Sequence, residues 1–331
     1  MPRTSRSTPR HLARPPRRSA KLRRGAIALL AVAALPLAAL TTSTPATAAG
    51  DSTSRTAGDA KNAALTAVST GFGTTIWQGN GQSRKEAMDR QTSIYGPLDV
   101  VRVFYAGMPA SWSSIQSDIG QTRAIVSFNP SPASVLSGSL DGQLLDWFRQ
   151  APRDHVTRWV YWHEPEDDIE AGSLDAGQYR AAWQHLDALA DQANNPRLRA
   201  TLVLMCWTME KNSHRNWRDY YPGDSVIDVL GFDCYNAGYR SGRYRAPSEL
   251  FGPARQAATE AGKRWGVAEM GSVVVSGDNG TGRANWLQDS ASWLRANGAR
   301  FASYFDSDVG VDYRLLDDAS RNSWRQIVQS N

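Results

Sequence analysis

Eight short apolar runs lie between residues 71 and 305 and alternate with helical patterns or long loops. That order predicts a single-domain (β/α)8 barrel, the TIM-barrel class of α/β folds. Two of the runs, Trp159-Val160-Tyr161-Trp162-His163-Glu164 and Trp265-Gly266-Val267-Ala268-Glu269, end in a carboxylate. An open dinucleotide-binding sheet is the competing architecture. It would need G-x-G-x-x-G between an early strand and a helix, and neither Gly71-Phe72-Gly73 nor Gly79-Asn80-Gly81 has that context. The chain has no heptads, internal repeats or linkers.

The first residues read as export rather than fold. Residues 1–24 hold nine Arg or Lys and no acid, residues 25–40 are small and apolar, and Ala46-Thr47-Ala48 offers a cleavage site. We read residues 1–48 as a secretory signal, with an uncleaved membrane anchor as the competing reading. No cysteine follows the apolar run, so a lipid anchor is not expected. Residues 49–65 read as a poorly ordered lead or first helix, and 66–331 as the barrel. Residues 49–331 keep 28 basic against 32 acidic side chains, near −4, so the basic character of the whole chain belongs to the signal and gives no case for nucleic acid. A secreted, extracellular monomer with no stable membrane span is expected. Cys206 and Cys234 follow neighbouring strands; a disulfide and two buried thiols both fit, and export favours the disulfide. Two cysteines and five scattered histidines give no zinc framework, so neither a metal nor a cofactor is expected.

Taken in order, Gly71 to Trp77 reads as the first strand and its exit, and Ser83 to Gln91 as a polar helix or turn. Leu98 to Tyr105 is the second strand, with Pro109-Ala110-Ser111-Trp112 in a loop after it. Arg123 to Pro130 is the third, and Leu144 to Gln150 a helix with Leu144, Leu145 and Phe148 on one face. The fourth strand is Thr157 to Trp162, three of its last four residues being aromatic, and Pro165 stops the run. Tyr179, Ala182, Leu186 and Leu189 recur at helical spacing within 175–192. Ala200 to Trp207 and Val226 to Asp233 are the fifth and sixth strands. A helix over 248–261 precedes the seventh strand, Trp265 to Ala268. A helix over 284–296 precedes the eighth, Arg300 to Phe305, and a helix over 320–328 closes the chain.

In such a barrel, strands four and seven face each other across the mouth, and active sites lie at the carboxyl ends of the strands. Glu164 and Glu269 therefore form a pair. Retaining glycosidases use two carboxylates ~5–5.5 Å apart, one as acid/base and one as nucleophile. Aromatic surroundings would raise the proton affinity of Glu164, whereas Glu269 needs to stay ionised. A structural or surface carboxylate mimics either one alone, but both together are harder to mimic.

With these residues, the chain resembles the large retaining (β/α)8 glycoside hydrolase clan. The His163-Glu164 pair resembles the pattern of family 26, the β-mannanase and related β-glycanase family. The resemblance implies Glu164 as acid/base, Glu269 as nucleophile, and His163 in contact with the nucleophile or the sugar 2-hydroxyl. Tyr235, in Gly231-Phe232-Asp233-Cys234-Tyr235-Asn236, matches the family's strand-six tyrosine that hydrogen-bonds the nucleophile. The chain departs from the pattern at Pro165-Glu166-Asp167-Asp168, at Glu269-Met270-Gly271, and at Tyr304-Phe305-Asp306, where the clan often has Trp. The expected activity is endo-hydrolysis of a β-linked polysaccharide such as β-mannan. The alternatives are a xylan, glucan or cell-wall glycan as substrate, or a carbohydrate-binding barrel without catalysis.

Further candidates are two-sided. Trp207, Trp77, Trp112 and Trp162 read either as sugar-stacking platforms or as packing. His214 and Tyr304 are placed with the substrate-contact candidates. Asp306 and Asp308 read as ligands to sugar hydroxyls or a cation, or as a solvated loop. Arg102, on the second strand, reads as a buried partner of the catalytic carboxylates or of Asp233 and is grouped with the substrate-side residues. A Ser-hydrolase reading fails for lack of G-x-S-x-G.

Overall fold

The computed structural model describes residues 69–330. The expected export signal and lead lie outside the described residues. Eight parallel strands close into a barrel in sequence order, and the last pairs with the first. They are β1 Gly71–Thr75, β2 Val100–Tyr105, β3 Arg123–Phe128, β4 Thr157–Tyr161, β5 Leu198–Met205, β6 Val229–Asn236, β7 Arg264–Ser272 and β8 Phe301–Tyr304. The fold class is the expected (β/α)8 barrel.

Around it run α1 Arg84–Tyr95, α2 Trp112–Ile119, α3 Pro132–Leu136, α4 Asp141–Gln150, α5 Glu166–Glu170, α6 Ala176–Gln192, α7 Gly238–Ser241, α8 Pro247–Glu260, α9 Thr281–Ala296 and α10 Asp318–Gln329. At five of these helices a side chain takes up an orphan backbone amide at the start. Ser83 and Glu86 form a reciprocal capping box on α1, Asp175 accepts from Gln178 N on α6, and Asp317 accepts from Ser320 N on α10. Residue 112, expected in a loop, instead opens α2, because Ser111 caps the turn through Ser114 N.

Alternation along each strand separates two cores. Val100, Ile125, Val160, Val203, Val229, Ala268 and Phe301 point inward and fill the barrel. Outward neighbours such as Val101, Val126, Trp159, Leu202 and Val267 pack under the helices. Trp159 lies between Phe148 and Trp183, with ring centroids 5.1 and 4.9 Å away, so the fourth strand is aromatic because it carries the helix-side core. Two glycines let the barrel close. A Cβ on Gly73 would come within 1.6 Å of Val100 O, and one on Gly266 would enter the Phe301 ring at 2.6 Å.

The strands nearest the expected chemistry run longer than their hydrophobic patterns. β6 extends to Asn236 and β7 to Ser272, so Tyr235 and Glu269 lie within paired strands rather than beyond them. The pairing skips at this point: Phe232 matches Val267, but Asp233 matches Glu269. This bulge inserts one residue into β7. Trp265 and Val267 pack outward and Ala268 inward. Uninterrupted alternation would turn Glu269 toward the helices. The extra residue instead puts Glu269 on the inner side, beside Asp233 and Arg102.

Candidate active site

The site begins with a buried cation. Arg102, two residues beyond the inward-facing Val100, sits fully buried in the barrel. Its Nη1 lies 2.6 Å from Asp233 Oδ1 and 3.4 Å from Glu269 Oε1. Tyr235 OH donates a hydrogen bond to Glu269 Oε2. Each oxygen of the Glu269 carboxylate thus has a positive or donating neighbour. Burial raises the proton affinity of Glu269, while Arg102 and Tyr235 lower it.

Glu164 follows β4 on a backbone with φ 50°, a left-handed conformation uncommon for a side chain other than glycine, and Trp162 has φ 47°. The Glu164 amide donates to Val203 O at 3.0 Å, fixing this turn to β5. Among the described residues, no hydrogen bond reaches the Glu164 carboxylate. Burial, with the nearby Glu269 charge, pushes its pKa up to about 8. Three carboxyl groups, Glu164, Asp233 and Glu269, share the Arg102 guanidinium. Burial raises the proton affinity of all three; Arg102 opposes it at Asp233 and Glu269 by direct contact, whereas Glu164 has no such contact and is the carboxyl placed to hold a proton.

Two cavities meet at this cluster. One, of about 500 Å³, is lined by Glu164, Glu269, His163 and Tyr235, with Trp77, Phe104, Tyr105, Asn129, Phe305 and Tyr313 on its walls. The other, of about 350 Å³, shares Glu164 and Tyr235 and is bordered by Trp207, Glu210, Arg240 and Arg245. Trp207 is 45% exposed, and Arg245 Nη1 is 2.7 Å from Glu210 Oε1. Cys206 and Cys234 form a disulfide with Cα atoms 4.9 Å apart, joining the exit of β5 to β6 beside this second cavity.

Of the sequence candidates, Glu164, Glu269, Tyr235, His163 and Trp77 converge on the first cavity and Trp207 on the second. Several others lie elsewhere. Arg102 has no exposed surface, so it acts on the carboxylates rather than on a ligand. Trp112 is buried and donates from Nε1 to Trp147 O at 2.8 Å; it is helix packing. Tyr304 faces outward from β8, buried, with its hydroxyl donating to Tyr313 O at 2.7 Å. Asp306 is neither a solvated loop residue nor a ligand group. It is buried and accepts from Gln91 Nε2, Tyr95 OH and Leu315 N at 3.1, 3.0 and 2.9 Å. Asp308 pairs with Arg314 at 3.1 Å. Trp162 donates from Nε1 to Asp168 Oδ2 at 2.8 Å and lines neither cavity. His214 is an exposed left-handed residue on the loop after β5 and lines neither cavity.

His163 differs in its contacts. Its ring packs on Phe104, centroids 5.0 Å apart, and no hydrogen bond to Glu269 is present among the described residues. Burial and the Arg102 charge push its pKa down to about 3, so it serves as a neutral wall. The sequence reading missed Phe104, Tyr105, Asn129, Phe305 and Tyr313. The first three lie at or just beyond the carboxyl ends of β2 and β3, and that position was the available signal. Among the described residues, no group of three or more His, Cys, Asp or Glu is arranged to hold a metal.

Comparison with known proteins bears on this arrangement. The family model described as glycosyl hydrolase family 26 matches residues 158–274, a stretch that holds both Glu164 and Glu269. No curated protein matches the chain. Solved structures match distantly, in fold. A family 26 β-mannanase from Bacteroides ovatus is 14% identical with a TM-score of 0.54, over 81% of this chain and 90% of that one. A family 26 protein from a Muricauda species is 15% identical with a TM-score of 0.55, over 80% and 86%. The family 26 domain of an endo-β-mannanase/endo-β-glucanase from Prevotella bryantii is 11% identical with a TM-score of 0.54, over 81% and 91%.

Proposed function

We propose that this chain is a secreted, retaining endo-glycoside hydrolase acting on a β-linked polysaccharide, with β-mannan the first candidate. The observation that carries the proposal is the contrast between two glutamates in one cavity. Glu269 is held by Tyr235 and Arg102, while Glu164 has no donor and a pKa of about 8. One carboxyl group kept protonated beside one kept ionised is what double displacement requires. Glu164 gives its proton to the glycosidic oxygen as Glu269 attacks the anomeric carbon. The resulting glycosyl ester is then hydrolysed by water that gives a proton back to Glu164.

The remaining features fit that chemistry. Cavities on both sides of Glu164 and Tyr235 allow a chain to run through, which supports endo cleavage. Trp77 and the exposed Trp207 give each side an aromatic face for sugar rings. Two of the structurally similar proteins are a β-mannanase and an endo-β-mannanase/endo-β-glucanase domain, which favours mannan. The disulfide and the basic, then apolar, first residues support export. No described helix is long and apolar enough to cross a membrane.

The test is product stereochemistry, followed by NMR during hydrolysis of a mannan oligosaccharide or of whichever polymer in a panel is cleaved. The first anomer should keep the β configuration. An initially inverted product would reject Glu269 as nucleophile. Glu269→Ala should abolish turnover. Glu164→Ala should still cleave substrates with activated leaving groups, and azide should accelerate it by trapping a glycosyl azide of retained configuration.

A further inference from the structure

The end of the barrel opposite the carboxylates has a chemistry of its own. Arg123, Arg158, Arg199 and Arg264 stand two residues before Ile125, Val160, Thr201 and Gly266 on β3, β4, β5 and β7. Ile125 and Val160 fill the barrel, as do Val203 and Ala268 two residues further along β5 and β7. The same alternation turns all four arginines toward the axis, one layer below the apolar fill. Arg158 is the most enclosed. Its guanidinium lies over the Phe301 ring at 4.4 Å, and its buried Nε has no hydrogen-bond partner among the described residues. Burial and repulsion from Arg123, Arg199, Arg300 and Arg264 push its pKa down to about 9.

Among the described residues, none of these five arginines forms an ion pair. The carboxylates Asp99 and Asp228 at this end accept from the backbone amides of Phe72 and Ala200. Beside the arginine layer, Arg255, Lys263, Arg264, Arg295 and Arg300 line a cavity of about 740 Å³ with Trp265, and among the described residues no carboxylate lines it. Lys263 donates to Asp224 O, and Arg295 to Ile327 O and Ser330 Oγ. Among the described residues, the guanidinium forks of Arg255, Arg264 and Arg300 have no protein acceptor. A buried cation among like charges is costly unless an anion joins it. Guanidinium forks match tetrahedral oxyanions in two-point hydrogen bonds.

We propose that this basic end is a phosphate-binding site, separate from the carboxylate mouth, that takes phosphate groups carried on a larger molecule. The cavity is too large for one phosphate alone, and its cations come from α8, α9, the first residue of β7 and the turns just before β7 and β8. The site would hold the barrel by its base and leave the mouth free.

Calorimetric titration of the full chain at low ionic strength tests this, with inorganic phosphate, inorganic polyphosphate and phosphatidylglycerol vesicles as probes. Polyphosphate should bind more tightly than phosphate, and its affinity should fall as salt screens the cluster. Arg264→Gln/Arg300→Gln should weaken it by about tenfold or more, as loss of charge-assisted bonds implies. Arg243→Gln/Arg314→Gln removes the same charge from positions elsewhere that are already paired with carboxylates, and should change it by less than about twofold. The first pair should melt no lower than the wild type without anion, because it removes repulsion around Arg158. Vesicle binding that Arg264→Gln/Arg300→Gln abolishes would assign the phosphate to a lipid headgroup; binding of polyphosphate alone would assign it to a soluble polymer. Absence of binding to every probe, or equal weakening in both paired variants, would overturn the proposal.

Discussion

At the scale of single residues, the site depends on which carboxyl group keeps a proton. Tyr235 donates to Glu269, and that bond lowers the proton affinity that burial raises. Tyr235→Phe should therefore move the acidic limb of the pH–rate profile upward and lower kcat by about 10²-fold, as loss of one preorganised donor commonly does. The alkaline limb follows the loss of the Glu164 proton near pH 8 and should stay in place. A full pH profile of wild type and variant on one substrate checks both limbs. If both moved together, Tyr235 would be acting on the fold rather than on Glu269. Glu164 and Glu269 were legible in the sequence because each ends an apolar run, a pattern with few purely structural causes. Tyr304 and Asp306 were not, because a strand end does not reveal which way it faces. Tyr304 follows the inward Ser303 and so points out. Asp306 lies two residues beyond β8 and turns back under α1.

Between elements, two devices join the loop after β5 to its neighbours. Glu166, at the start of α5, is fully buried and accepts from Met205 N and Thr208 Oγ1, both at 2.8 Å. Its Oε2 is buried without a partner among the described residues, and burial raises the pKa of the carboxyl to about 7. A carboxyl whose folded pKa is raised binds its proton more tightly when folded. Its favourable contribution is complete below the unfolded value of 4.5 and is lost as pH rises toward 7. Glu166→Gln keeps both accepted bonds and carries no charge. It should flatten this dependence and raise stability at pH 8 by up to about 3 kcal/mol, read from urea melts at pH 5 and 8. A variant less stable at both pH values would reject this account. The second device is the Cys206–Cys234 bridge, with a sequence separation of 28. Cys206→Ser/Cys234→Ser should lower unfolding stability by about 3 kcal/mol. It should also raise KM, because Trp207 and Tyr235 adjoin the two cysteines. An unchanged urea midpoint would refute the first expectation. The sequence placed the cysteines on neighbouring strands but held no sign of the Glu166 bonds. Those depend on how α5 turns back over β5.

For the molecule as a whole, the eight runs carried the barrel, because alternating strands and helices of this length close in one way. The inner layers were harder to read. A single extra residue on β7 decides that Glu269 looks into the mouth, and a hydrophobic pattern does not record a bulge. The arginine layer was equally hidden, since Arg123, Arg158, Arg199 and Arg264 are scattered in sequence and gathered only by closure of the sheet. These layers put cationic side chains at one end of the barrel axis and carboxylates at the other, which gives the protein an electrical polarity along its axis. That polarity governs how the protein would lie on a charged solid. Sulfonate beads should take it by the base, with the mouth facing the liquid, whereas quaternary ammonium beads should draw the carboxylate end against the matrix. Under the proposed hydrolytic function, protein adsorbed at low salt should turn over a soluble polysaccharide faster per molecule on the first support than on the second. Equal rates would mean that adsorption ignores the axis.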